Sequence, residues 1–301
     1  MRYVLTVIVV LLLCGGCYKP ESESHPLGSE KNPLVMYFVP STEAEKVIQS
    51  AEELIDMLHD ETGLYFTADN ASSYVGIVEA MAVGKVHIGW LPPMAYVFAH
   101  QRNGDETILK VVRHGKATYR GQVVVMADSG IETLDDLKGK SIAFADQASS
   151  SGHLYPRTLL LDNGIDPDAD LTDVTFAGGH DTALLALYNG SVDAACSYED
   201  AREKLVGTGI TDIMEKTKVL AYTPEIPADN VSVIKDLPRE LRDKVTAGLI
   251  AIAKTERGKE VLMDLYEIED LVPATDSDYD PVRQMAQILD LDIEEEVSKD
   301  S

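Results

Sequence analysis

Three consecutive serines, Ser149, Ser150 and Ser151, stand in the stretch SIAFADQASSSGHLYP, residues 141 to 156, where an alternating apolar segment gives way to a helical apolar pattern. One serine suffices to cap a helix. Three hydroxyls beside the unpaired N–H groups of a helix N-terminus make a cradle for an oxyanion, and they add donors without adding charge. Caps and turns use the same residue types, so the run alone does not separate a site from a turn. The neighbouring KGKS at 138–141 is not a phosphate loop, because Leu134 stands where that motif needs glycine and a strand follows it.

The same serines with His180 and Asp181, Asp200 or Asp229 can be written as a hydrolase triad. No G-x-S-x-G elbow surrounds them, so enzyme activity is not expected. The seven histidines are scattered without the short spacing of a zinc site, and neither a metal nor a cofactor is expected.

Positioning such a cradle needs strands that end where helices begin. From Pro33 the chain alternates: LVMYFVP, a helical stretch from Glu43 to Thr62, LYFTA, a helix around Val75 to Val83, VHIGWL, and a helix from Ala95. A second series runs through GQVVVMA, SIAFA, DVTFAGG, TALLALYNG and DAACSY, and after NVSVI the chain reads as helical to its end. Strands separated by helices predict an α/β fold in two units, with ligands bound beyond the carboxyl ends of the strands. The serine run occupies such a position.

The chain of 301 residues carries a formal net charge of −25, from 26 Lys plus Arg against 51 Asp plus Glu, which argues against a nucleic-acid partner held through its phosphates. At the start, Arg2 precedes an apolar run from Val4 to Leu13, too short to span a bilayer and suited to a signal-peptide core. Cys14, Gly15, Gly16 and Cys17 follow; the pattern resembles a bacterial lipoprotein signal over residues 1–16, in which Cys17 is lipidated. Residues 17–32 are predicted to be a flexible tether. Cleavage there leaves Cys17 and Cys196, so no disulfide framework is expected, and Cys196 reads as a small buried hydrophobe.

Five blocks, VPSTEAEKV, SSYVGIVEAMAVGKVHIGWLPPMAYVFA, YRGQVVVMADSGIETLDDLKGKSIAFADQASSSGHLYP, GGHDTALLALYNGSVDAA and PEIPADNVSV, come in the order seen in the phosphonate-binding proteins of ABC transporters, a family that includes binders of phosphite and phosphate. The resemblance implies a two-lobed type II periplasmic binding protein fold with two crossover strands: lobe 1 from 33–118 and 224–301, lobe 2 from 119–223. It implies a ligand site of Tyr74, Tyr119, Ser149, Ser150, Ser151, His180 and Asp229. Asp200, in CSYEDA, stands where binders of 2-aminoethylphosphonate resemble one another in carrying Glu, with Glu199 beside it. An ammonium group would satisfy both aspartates, whereas a singly protonated phosphite or phosphonate would satisfy one.

The implied function is that of a membrane-anchored, extracytoplasmic lipoprotein that binds a phosphonate, with 2-aminoethylphosphonate as one candidate, and delivers it to a permease. A phosphite or phosphate receptor, a ligand-sensing module and, last, a hydrolase are the alternatives.

Overall fold

The computed structural model describes residues 25–40, 44–199 and 201–288. The signal-peptide segment, Cys17 and Asp200 lie outside these residues.

Alternation decides the strands. In β1 (Leu34–Phe38), Leu34, Met36 and Phe38 are buried while Val35 and Tyr37 face the opposite side, half-buried. The other strands of the first sheet are β2 (Phe66–Asn70), β3 (Ile88–Leu91), β4 (Glu106–Val112), β10 (Asn230–Val233) and β11 (Asp270–Pro273), in spatial order β11-β4-β10-β3-β1-β2. The second sheet contains β5 (Thr118–Met126), β6 (Ser141–Phe144), β7 (Asp173–Phe176), β8 (Ala194–Tyr198) and β9 (Thr217–Pro227), in order β7-β6-β8-β5-β9. β1 runs parallel to β2 and β3, and β6 parallel to β7 and β8, while β10 and β5 enter their sheets antiparallel.

Helices cover both faces of each sheet, as parallel strands require. α1 (Ala44–Thr62), α9 (Arg239–Ala253) and α10 (Glu256–Tyr266) pack Val47, Leu54, Leu249 and Leu262 on one face of the first sheet. α2 (Tyr74–Ala82) and α3 (Pro93–Asn103) cover the other. On the second sheet, α4 (Tyr155–Asp162) and the one-turn α5 (Pro167–Asp170) lie on one side, and α6 (His180–Tyr188), α7 (Ala201–Gly207) and the short α8 (Ile213–Lys216) on the other. Cys196 is fully buried there with Phe144 and Leu160, and burial pushes its thiol pKa up, which keeps it protonated.

The chain passes from the first sheet to the second between Val112 and Thr118 and returns between Pro227 and Asn230. β9 pairs with β5 through to Thr118↔Pro227, so the return falls three residues beyond the expected boundary at 224. The final helix, α11 (Asp280–Ile288), also departs from the expected assignment to the first unit alone: Tyr279, Val282 and Ala286 share one core with Phe98 of α3 and with Leu154, Tyr155 and Ile226 of the second unit.

Two further differences have simple causes. β11 lies inside a region expected to be helical; it is four residues long and holds Pro273, which suits an edge strand and leaves little periodicity to read. Residues 25–32, expected as tether, form a turn bridged between Ser29 and Asn32. Gly28 accepts the N–H of Tyr65 there, and Leu27 packs on the first core.

Candidate functional site

A cavity of about 340 Å³ opens between the two sheet units. Its deep wall is made by Tyr74, Ser149, Ser151 and His180, each no more than 4% exposed, together with Tyr119. Four of these five sit at the start of a helix or immediately before one. Tyr74 is the first residue of α2, which follows the Ser73 cap. Ser149 caps a single turn of π-helix, Ser150–Leu154, that runs into α4. His180 opens α6. Helix N-termini, with their positive dipole ends, converge on the cavity, which is therefore suited to an anion.

Two glycines let the serine loop sit this deep. A Cβ on Gly152 would lie 2.4 Å from the Ala145 Cβ and 2.9 Å from the His180 ring. On Gly121, in β5, it would lie 2.7 Å from the Ser151 carbonyl oxygen. Neither space admits a side chain.

The deep groups are neutral. Burial, then the nearby Asp146 carboxylate, raises the Tyr74 phenol well above its ordinary pKa; burial and then Asp229 do the same for Tyr119, whose hydroxyl meets the Ser151 side chain. Burial first, and the Lys204 charge second, lower His180 to about 3. Its Nε2 lies 3.5 Å from the Ser149 Oγ and its Nδ1 3.3 Å from the Ser197 Oγ. The histidine thus meets a hydroxyl on each side. A triad needs a carboxylate at the second nitrogen, and none of Asp181, Asp229 and Glu199 holds that place.

Ser150 departs from the expected cradle. Its Oγ accepts the Met94 N–H at 2.8 Å, and it does not line the cavity. α3 begins after Pro92 without a side-chain cap of its own, so the second unit supplies one. Asp146 works similarly: its Oδ1 accepts the Ala148 N–H at 2.9 Å within its own loop, and its Oδ2 lies 3.4 Å from the Tyr74 nitrogen at the start of α2.

The rim carries charge that the sequence reading did not include. Arg113 donates from Nη1 to the Asp229 Oδ2 at 2.9 Å and from Nε to the Tyr266 carbonyl at 2.7 Å. Asp229, expected to await a proton or an ammonium from the ligand, is therefore already paired. The two residues occupy the two segments that pass between the sheets. Arg113 is fixed by a tight turn through His114 and Gly115, both at positive φ, which bridges back to Lys116. Glu199 also lines the cavity and takes Arg120 on one carboxylate oxygen, from Nε at 3.0 Å and from Nη2 at 2.8 Å. Val39, Trp90 and Leu91 form an apolar wall at the ends of β1 and β3.

A second buried histidine stays outside the cavity. His153, on the π-turn, bonds through Nδ1 to the Gln147 carbonyl at 2.8 Å and packs edge-on to Phe144 and Phe176; burial lowers its pKa to about 4.

Residues 36–279 match a family model described as the periplasmic substrate-binding protein of a phosphonate ABC transporter. The chain is 29% identical over 302 aligned residues to the phosphate-import protein PhnD of Mycolicibacterium smegmatis, covering 94% of this chain and 93% of that protein. It is 28% identical over 263 residues to the phosphonates-binding periplasmic protein of Escherichia coli, covering 85% and 77%. Among solved structures, the binding-protein component of an ABC phosphonate transporter from Pseudomonas aeruginosa superposes with a TM-score of 0.78 at 24% identity, covering 85% of this chain and 86% of that one. A Prochlorococcus marinus protein in complex with methylphosphonate gives 0.77 at 16% identity, covering 85% and 98%.

Proposed function

Because this chain belongs to the family of periplasmic substrate-binding proteins of phosphonate ABC transporters, we propose that its cavity captures an organophosphonate through Tyr74, Tyr119, Ser149, Ser151 and His180. The fold is that of the type II periplasmic binding proteins, and the family works outside the cytoplasm with a membrane permease. The observation that carries the ligand reading is the convergence of buried, uncharged donors on helix N-termini inside one cavity. Neutral donors hold a tetrahedral oxyanion by hydrogen-bond number and geometry, and they allow its release.

Room for an organic substituent favours a phosphonate over a bare oxyanion: the cavity adds an apolar wall of Val39, Trp90 and Leu91 to the cradle. An ammonium on that substituent gains less than the sequence suggested. Asp229 is matched by Arg113 and Glu199 by Arg120, so neither of these acids needs the ligand for neutrality, while Asp200, the other acid expected to take the ammonium, lies outside the described residues. We therefore place methylphosphonate ahead of 2-aminoethylphosphonate. Phosphate is the second reading, favoured by the name of the Mycolicibacterium relative.

The units built on the two sheets act, in this reading, as lobes that close on the ligand. Cys17 acts as a lipid anchor. The protein turns nothing over, because its serine–histidine pair ends on Ser197 rather than on a carboxylate.

Calorimetric titration with methylphosphonate, 2-aminoethylphosphonate, phosphite, phosphate and sulfate tests the ligand assignment. Methylphosphonate is expected to bind most tightly and sulfate least. Tightest binding of phosphate would replace the organophosphonate reading with the phosphate one, and binding of sulfate alone would overturn both.

A further inference from the structure

At the rim of the cavity, Lys204 of α7 meets Glu267 at the end of α10, Nζ to Oε2 at 3.3 Å. One residue comes from the second unit and one from the first, and both line the cavity. Their side chains are part exposed, which places the pair between the deep donors and solvent.

The backbone at Glu267 makes this contact more than incidental. Glu267 has φ 54 and ψ 38, a left-handed conformation at the helix end. Its N–H bonds to the Met263 carbonyl at 2.9 Å, and the N–H of Ile268 bonds to the Leu262 carbonyl at 3.0 Å. That motif favours glycine, and a residue with a Cβ pays a conformational penalty there. The chain keeps a long acidic side chain where its own helix would be better ended without one. The carboxylate of that side chain reaches the opposite unit. Lys204, in turn, sits with its Nζ 5.5 Å from the Tyr198 ring and is the charge that follows burial in holding His180 neutral. The pair is therefore close to the cradle in effect as well as in position.

We propose that Lys204 and Glu267 form a latch across the cavity and set how long a bound phosphorus oxyanion stays, an inference that rests on the anion-binding reading above. Moving the two units apart must separate Nζ from Oε2, so whatever the pair contributes is contributed to the closed arrangement alone. An interaction present in one arrangement only shifts the equilibrium between them and appears in the dissociation rate.

The latch and a bystander acid predict opposite signs. Without a latch, Glu267 is a negative charge near an anion, and removing it should tighten binding or leave it unchanged. With a latch, removing it should weaken binding, by about two- to fivefold for a part-exposed ion pair.

Glu267→Gly is the informative variant, because glycine suits the left-handed helix end. Its melting temperature should equal or exceed that of the unaltered protein. Its dissociation constant for methylphosphonate should rise about two- to fivefold, carried by faster release in stopped-flow measurements, and the difference should shrink in 1 M NaCl. The ligand-free variant should show a larger radius of gyration in solution scattering. Glu267→Gln, which keeps the side chain's length, should weaken binding in the same direction. Equal or tighter binding by both variants, with unchanged release rates, would overturn the latch. Should the unaltered protein bind neither methylphosphonate, phosphite nor phosphate, the function proposed above fails, and the scattering comparison alone decides: equal radii would remove the latch as well.

Discussion

The Ser150 hydroxyl accepts the Met94 backbone N–H at 2.8 Å, so a loop of the second unit caps a helix of the first. Two of the three serines, Ser149 and Ser151, face the cavity, and the middle one fastens the cavity's walls together. Its hydroxyl joins the two units without lining the cavity.

Ser149→Ala and Ser151→Ala each remove a group that faces the cavity. The expected cost is about 1.5 to 3 kcal/mol of binding free energy, roughly ten- to a hundredfold in affinity. Ser150→Ala should weaken all ligands by a common factor and raise the dissociation rate, because it leaves the Met94 N–H without its acceptor when the units are closed. A change in ligand rank order with Ser150→Ala would mean that this hydroxyl touches the ligand after all.

Gly152→Ala should be the most damaging small substitution in the loop. The added methyl has to displace Ala145 or the His180 ring, an overpacking cost on the order of 1 to 3 kcal/mol. Binding should fall more than tenfold while circular dichroism retains the α/β signal. Retained affinity would show that the loop can shift outward without loss of the site.

Asp229→Asn separates the charge arrangements. With Arg113 matched to Asp229, loss of the carboxylate frees a guanidinium at the rim, and sulfate and phosphate should both gain affinity, by about 1 kcal/mol. 2-Aminoethylphosphonate should change no more than methylphosphonate. A selective loss for the amine compound would restore the ammonium role expected of Asp229 from the sequence.

Acid should destabilise the fold in a defined window. Burial holds His180 at about 3 and His153 at about 4, both below the ordinary value of 6.5, so the unfolded chain binds protons that the folded one refuses. The stability these rings contribute is complete above pH 6.5 and is lost as the pH falls toward 4, at up to about 1.4 kcal/mol per pH unit for each ring. Urea unfolding between pH 7.5 and 5 measures it. His153→Gln should flatten the slope, and an unchanged slope would show that this ring is not kept neutral.

Cys17→Ser should give a protein that no longer partitions into detergent, whereas Cys14→Ser should still partition. Loss of partitioning with Cys14→Ser alone would move the lipid to that cysteine.

Periodicity made most of the fold legible: β1, β3, β5 and β6 and the helices between them stand where alternation and three- to four-residue spacing put them. β11 was not legible, because four residues ending in proline at a sheet edge leave no period to detect. Within the site, Tyr74, Tyr119, Ser149, Ser151, His180 and Asp229 do line one cavity. Arg113 was missed although VVRHGKATYRGQ places a cation in a short link between two strands, a position that can be read from sequence. Ser150 could not be told from its neighbours, since three adjacent serines differ only in where the π-turn points them. Glu267 left no trace in sequence, because its partner is 63 residues away and on the other unit.

Trp90 is the chain's one tryptophan, it is 3% exposed, and it forms part of the apolar wall. Its ring stacks on Phe38 with centroids 5.6 Å apart, and its Nε1–H is held by the Met36 sulfur at 3.2 Å, so the indole cannot swing away when the cavity fills or empties. Indole emission from this chain therefore comes from one fixed residue in the cavity wall. A ligand that meets the apolar wall touches that indole, so filling of the cavity is expected to change the emission of the unlabelled protein.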